Sequence, residues 1–398
     1  MRFYFTPEQE AFRAELAEFF KREIPPGYND RISCSTVLEV EMSEEEFRQG
    51  LAFDRKLIER GYYVMHWPKE YGGQGKSVVD YSIFNEAYGY HSPPSVTDRG
   101  RNVVGPGLMV IGTEEQKRRF LPAIARLEAI TCLGWTEPNA GSDLSAIETT
   151  ARLDGDDYII NGQKMFISIA HYATHIFMTA LTDTSVPKRQ GMSLFIVDMR
   201  SPGISLSPLI SMDGKRINVV YFTDVRVPAA NLVGTKNRGF QQLAMTANYE
   251  RGNVALPAAY QRVFDEFIEF IKHNKIGGRD LTKDPEARHR LADTAIALET
   301  WRMICWRVVW LQSQGQVPQA ESSMVQLLRK QTTPKVSRLL WELGGPLAQL
   351  KQGTRWAVMN GKLEYYSQHA FNIHGQGGIA QTKNAIARRG LGMPRQQG

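Results

Sequence analysis

The chain has 398 residues, 42% of them hydrophobic and 23% charged, with a formal net charge of +6. This is the composition of a soluble globular protein long enough for two or three packed units. Basic residues are interleaved with acids and form no block or arm, which argues against nucleic acid as partner and for small phosphate-bearing molecules.

Acidic positions from Glu8 onward do not make a signal peptide, and no segment has the apolar length of a membrane span. Cys34, Cys132 and Cys305 are widely separated and odd in number, so neither a disulfide framework nor metal-ligand spacing is expected. These features together predict a cytoplasmic protein in a reducing compartment.

Thr6-Pro7-Glu8-Gln9 predicts a helix start, with Thr6 as cap, Pro7 in the first turn and Gln9 completing a capping box. Helical patterning runs to about residue 130, interrupted by the turn Tyr71-Gly72-Gly73-Gln74-Gly75. A further start lies at Thr113, with Glu114 and Glu115 on the positive end of the helix dipole.

From about Thr131 short β-branched and aromatic runs take over. Tyr158-Ile159-Ile160, Asn161-Gly162 and Met165-Phe166-Ile167 read as a hairpin with a two-residue turn. Further strands are expected at 176–178, 193–197 and 219–222, giving an antiparallel sheet unit. Helical periodicity returns after Gly234. Tyr260, Val263, Phe264, Phe267 and Ile271 form one stripe stopped by Gly277-Gly278. Asp284-Pro285 opens the next helix, and a later one is expected to be interrupted near Pro334.

Several motifs invite chemistry. Gly375-Gln376-Gly377-Gly378-Ile379-Ala380 approaches a dinucleotide fingerprint, but no βαβ unit follows, so a loop whose backbone N–H groups approach a ligand is the better expectation. His171 and His175 are four apart but lie between expected strands and are read as structural, with no metal site.

The run Leu133-Gly134-Trp135-Thr136-Glu137-Pro138-Asn139-Ala140-Gly141-Ser142-Asp143 sits where helices give way to sheet and can line a crevice, or serve as a capped connection. Phe166 and Ser168, two apart on a strand, are expected on one face. Glu250-Arg251 is either a surface ion pair or, if carried into a closed pocket, a base of raised pKa beside its guanidinium.

Trp135–Asp143, Asn161–Ser168, Phe222–Pro228 and the closing Ala387–Arg395 together resemble the signatures of the acyl-CoA dehydrogenase family, in that family's order and over essentially the whole chain. The resemblance implies an α+β multidomain fold: an N-terminal helical domain at 1–130, a middle antiparallel β domain at 131–236 and a C-terminal helical bundle at 237–398. It implies FAD as cofactor and an acyl-CoA substrate oxidised to the 2,3-enoyl-CoA.

By the same resemblance, Trp135, Thr136, Gly141, Ser142, Phe166, Ser168, Arg279, Gln376 and Gly377 fall at the cofactor. Ser142, Glu250, Arg251 and Gln376 fall at the substrate. The family's base sits either before the last helix, where this chain has Gln376, or on the helix after the β domain, where it has Glu250. Glu250 is therefore the expected base and Arg251 its neighbour.

An electron-transfer flavoprotein is the implied partner, in a homodimer or homotetramer. The family's Arg-x-x-Phe-Gly segment is replaced by Asn274–Asp280, its Gly-Gly-x-Gly loop by Leu343–Leu347, and its last FAD-contacting run by Gly377–Asn384. These departures leave a second expectation open: a heterotetramer in which this chain supports a paralogue's flavin site.

Overall fold

The computed structural model describes residues 4–28, 43–97, 99–214, 216–250, 254–371 and 378–394 and, of 246–250, the backbone alone. In chain order the helices are α1 Pro7–Glu23, α2 Glu44–Glu59, α3 Val78–His91, α4 Gly105–Ile111, α5 Glu114–Ala125 and the short α6 Lys188–Gly191. They continue with α7 Gly239–Glu250, α8 Ala255–His273, α9 Pro285–Ser313, α10 Gln319–Gly344, α11 Lys362–His369 and α12 Ile379–Gly390. The strands are β1 Thr131–Gly134, β2 Thr150–Asp154, β3 Asp157–Ser168, β4 His175–Leu181, β5 Met192–Asp198, β6 Ile204–Ile210, β7 Arg216–Pro228 and β8 Leu232–Val233. The order is helices, then strands, then helices, as the texture of the sequence predicts.

The chain divides into two compact units. The first takes α1, α3 and the helices from α8 onward. Both α1 and α9 begin as their sequences dictate. Thr6 accepts the Gln9 N–H while the Gln9 side chain returns to the Thr6 N–H, and Asp284 accepts from the backbone of Glu286 and Ala287. The expected stripe of α8 is buried, with Phe267 fully covered, and packs with Leu298, Trp301 and Cys305 of α9 and Val336, Leu339, Leu340 and Leu343 of α10. Such a continuous apolar seam is what stabilises long helices in water.

Two expectations here are corrected. α8 ends at His273, before Gly277-Gly278, where Asn274 turns its amide back onto the Phe270 carbonyl. α10 runs through Pro334 without interruption. Apolar positions on both sides of the proline, Val325 and Val336 among them, enter the same core, and their burial offsets the one missing backbone bond.

The second unit takes α2, α4, α5, the sheet and α7. Thr113 caps α5 with a full capping box. The described strands form an eight-stranded sheet in the order β6-β7-β3-β2-β4-β5-β8, with β1 on β4. The ladders are antiparallel except that β1 and β2 run parallel to β4. Its core includes Ile160, Ile176, Met178, Phe195, Val197, Val220, Phe222 and Val225.

The hairpin expected at Asn161-Gly162 is corrected: β3 continues straight through it. The turn lies upstream at Gly155-Asp156, closing the Asp154–Asp157 pair, with Gly155 at φ 65°. Gly162 instead sits at a register shift with φ 143°, where a Cβ would come within 2.5 Å of Thr149 Oγ1 and 2.7 Å of its Cα. Asn161 exchanges hydrogen bonds with Asp224 of β7, its amide donating at 3.0 Å and its oxygen accepting the Asp224 N–H at 2.9 Å.

The thiols of Cys132, in β1, and Cys305, in α9, are both wholly buried, and burial pushes both up. Cys34 lies outside the described residues. No helix among those described is long and apolar enough to cross a membrane.

Candidate functional site

The segment Trp135–Asp143 leaves the end of β1 and doubles back immediately, Glu137 and Ala140 exchanging backbone hydrogen bonds at 2.9 and 3.1 Å. The Thr136 carbonyl accepts the Met165 N–H of β3 at 2.8 Å. The two sequence signatures on either side of β2 therefore meet on β3, beyond its ladder with β2.

Beneath that contact lies a charge pair. The Lys164 ammonium, fully buried, donates to Glu137 Oε1 at 2.6 Å and to Thr179 Oγ1 at 3.1 Å. The Glu137 carboxylate, 4% exposed, also accepts the N–H groups of Glu148 at 2.5 Å and Thr149 at 3.2 Å. Burial pushes the lysine down to about 8, against the pull of Glu137. Burial also opposes ionisation of Glu137, but Lys164 and the surrounding donors outweigh it and hold the carboxyl below its usual range.

Past Lys164 the strand is irregular. A register shift separates Lys164 from Ile167, and Phe166 and Ile169 adopt φ of 61° and 53°, the left-handed region that non-glycine residues avoid. Phe166 itself leaves the extended region, so strand alternation alone does not place it and Ser168 on one face. Phe166 is nonetheless 55% exposed, a large ring held out of the core, and Ser168 is partly exposed.

Trp135 is partly covered, and its indole N–H is buried with no hydrogen-bond partner among the described residues. Gly141 and Ser142 are exposed at the tip of the loop, and Asp143 holds the following turn by accepting from Ser145 N–H at 3.0 Å.

The two histidines do different work. The Asn218 amide donates to His171 Nδ1 at 3.1 Å and to the Ile167 carbonyl at 3.0 Å, so the ring is held as an acceptor, and burial with Arg216 nearby pushes it down to about 4. His175 bonds the Thr174 hydroxyl. No group of potential metal ligands occurs among the described residues.

In the helical unit Arg279 lies in an exposed turn and pairs with Asp284, the cap of α9, at 2.7 Å. Glu250 is the last described residue of α7, which packs against β5 and α4. Its side chain lies outside the described residues, as do Arg251, Gln376 and Gly377. Sequence reasoning missed Glu137 and Lys164 as a working pair. The available signal was a lysine in the middle of a strand whose neighbours feed an apolar core.

Three domain profiles match the chain: acyl-CoA dehydrogenase, N-terminal domain, at residues 6–128; middle domain at 132–225; and C-terminal domain at 237–361. Among curated relatives, the acyl-CoA dehydrogenase FadE26 of Mycobacterium tuberculosis is 32% identical over 407 residues, covering 99% of each chain.

Among solved structures, the ChsE4-ChsE5 complex from Mycobacterium tuberculosis matches at 32% identity with a TM-score of 0.86, and the Tcur3481-Tcur3483 steroid ACAD at 29% with a TM-score of 0.90, each covering 100% of both chains. The chain belongs to the acyl-CoA dehydrogenase family and is an oxidoreductase with FAD as its cofactor.

Proposed function

We propose that this acyl-CoA dehydrogenase oxidises the Cα–Cβ bond of a bulky, ring-bearing acyl-CoA thioester to the 2,3-enoyl-CoA, with Glu250 as base. The reading is carried by the meeting of the Trp135–Ser142 loop and the Phe166–Ser168 segment through the Met165–Thr136 bond. An exposed aromatic ring and an indole N–H with no partner among the described residues suit a flat ligand that needs both stacking and hydrogen bonds, as an isoalloxazine does.

When bound, FAD supplies the acceptor for the hydrogen and electron pair leaving Cβ. Glu250 takes the α-proton on its carboxylate, and Arg251 keeps that carboxylate charged and oriented. The Gln376 N–H stabilises the developing negative charge on the thioester oxygen; a backbone donor does this whatever its side chain. Ser142 lies at the thioester end, Thr136 and Ser168 hold the cofactor's polar edge, and Phe166 covers its face. Trp135, Gly141, Gly377 and Arg279 complete the cofactor contacts.

The three segments 1–130, 131–236 and 237–398 act as the helical, β and bundle domains of this machine. Electrons leave to an electron-transfer flavoprotein in the cytoplasm. The acyl group is taken as bulky because the base is carried on the helix after the sheet, and a similar protein is described as a steroid ACAD.

A second reading has its own support. Between Gly377 and Ala380 the side-chain donors the family uses at FAD are missing, and two similar structures carry two-component names. In it the chain is one subunit of a heterotetramer and has little activity alone, in place of a self-sufficient homotetramer or dimer.

Flavin bound per chain, measured from the visible spectrum of the chain purified alone, separates the two. The reaction itself is tested by anaerobic mixing with a ring-bearing acyl-CoA. Wild-type flavin is expected to bleach, and Glu250→Gln to slow that step by at least about a hundredfold. Bleaching of the variant at the wild-type rate would remove Glu250 from the mechanism.

A further inference from the structure

A buried lysine–glutamate pair is a poor way to stabilise a sheet, since apolar side chains of similar volume commonly do as well or better. The pair in this protein is placed where it fixes geometry. The Glu137 carboxylate gathers both ends of the 137–149 segment, because it belongs to the first turn and accepts the N–H groups of Glu148 and Thr149 at its far end. Gly141 and Ser142 lie within the loop so closed.

Lys164 attaches that carboxylate to β3, immediately before the irregular stretch that bears Phe166 and Ser168. Two further bonds run alongside, Met165 N–H to the Thr136 carbonyl at 2.8 Å and Thr149 Oγ1 to the Gln163 carbonyl at 3.3 Å. The left-handed conformations of Phe166 and Ile169 each oppose the folded state and persist only where the surroundings over-determine them.

We propose that Glu137 and Lys164 are positioning residues: their buried ion pair locks the Thr136–Ser142 loop and the Met165–Ser168 bulge in one register, so that the groups meeting FAD are presented together. The proposal rests on the function proposed above but concerns residues outside the cofactor contacts named there. It separates the role of the pair from general stability, because a neutral pair of similar size would hold the sheet without setting the register.

The test uses the full-length protein in the assembly in which it holds FAD, with Glu137→Gln, Lys164→Met and the double variant. Secondary structure by circular dichroism establishes folding; the FAD dissociation constant, the flavin absorption band, kcat and KM are then measured. For Glu137→Gln and for the double variant, FAD is expected to bind about tenfold or more weakly, with a shifted flavin band and kcat reduced more than KM, as misplacement of reacting groups requires.

The double variant is the deciding one, since it leaves no uncompensated charge and folds even where Lys164→Met does not. Wild-type FAD affinity, spectrum and kcat in the folded double variant would overturn the proposal. Wild-type flavin that acyl-CoA fails to reduce would instead refute the proposed reaction, and the FAD affinities would still decide the role of the pair.

Discussion

Lys164→Met exposes the electrostatics of the site most directly. The substitution keeps an unbranched apolar stem in a fully buried position and removes the ammonium that lies 2.6 Å from Glu137. The carboxylate is left with two backbone N–H donors and almost no solvent. Breaking a buried pair from one side costs about 3–5 kcal/mol.

An independent bound agrees. Glu137 can escape its isolated charge by taking a proton, which at pH 7 costs about 4 kcal/mol against an unfolded carboxyl of pKa about 4.3. At pH 5 the same neutralisation costs only about 1 kcal/mol.

In the variant the folded carboxyl is raised above its unfolded value, so the penalty grows as pH rises from about 4 toward 7. In the wild type it is depressed, so the pair's contribution is present above the unfolded value and is lost as pH falls. Both effects shrink the difference between the proteins in acid. Urea unfolding of flavin-free wild type and variant at pH 7 and pH 5 measures it. A loss below about 1 kcal/mol at pH 7, or an equal loss at both pH values, would refute the reasoning.

Two other expectations are independent of the pair. His171, held near 4 when folded and free to titrate near 6.5 when unfolded, makes the protein less stable as pH drops through that window. The loss at pH 5 is roughly 1–2 kcal/mol after allowance for its partial exposure, and His171→Asn should flatten the pH dependence of the urea midpoint by that amount. Gly162→Ala forces a methyl against Thr149 at a backbone angle alanine resists, and should cost about 2–4 kcal/mol of stability in the same assay, whereas Gly141→Ala, with open space around it, should cost less than about 1 kcal/mol.

Where a feature is built from neighbours in sequence, it was legible. The caps at Thr6, Thr113 and Asp284 and the stripe from Tyr260 to Ile271 follow from spacing alone. Asn161-Gly162 was misread because its glycine answers to Thr149 and its asparagine to Asp224, partners that spacing does not reveal. Pro334 was misread for a related reason: the seam that carries α10 across it is made with α8 and α9.

At the site, the resemblance named the segments, and the fold explains how two of them meet. The Glu137–Lys164 pair, 27 residues apart, required the sheet register to become visible. Arg279 was expected near the cofactor, and its observed partner is Asp284.

The placement of the cysteines makes this chain its own reporter. Cys132 is sealed in the sheet-bearing unit and Cys305 in the helical one, so each thiol is shut off from an alkylating reagent until its own unit opens. Pulsed alkylation along a urea ramp, followed by peptide mass spectrometry, would then yield two separate melting curves from one unmodified sample. A substitution at Lys164 or Gly162 should move the Cys132 curve, and its effect on the Cys305 curve would measure how far the two units unfold as one.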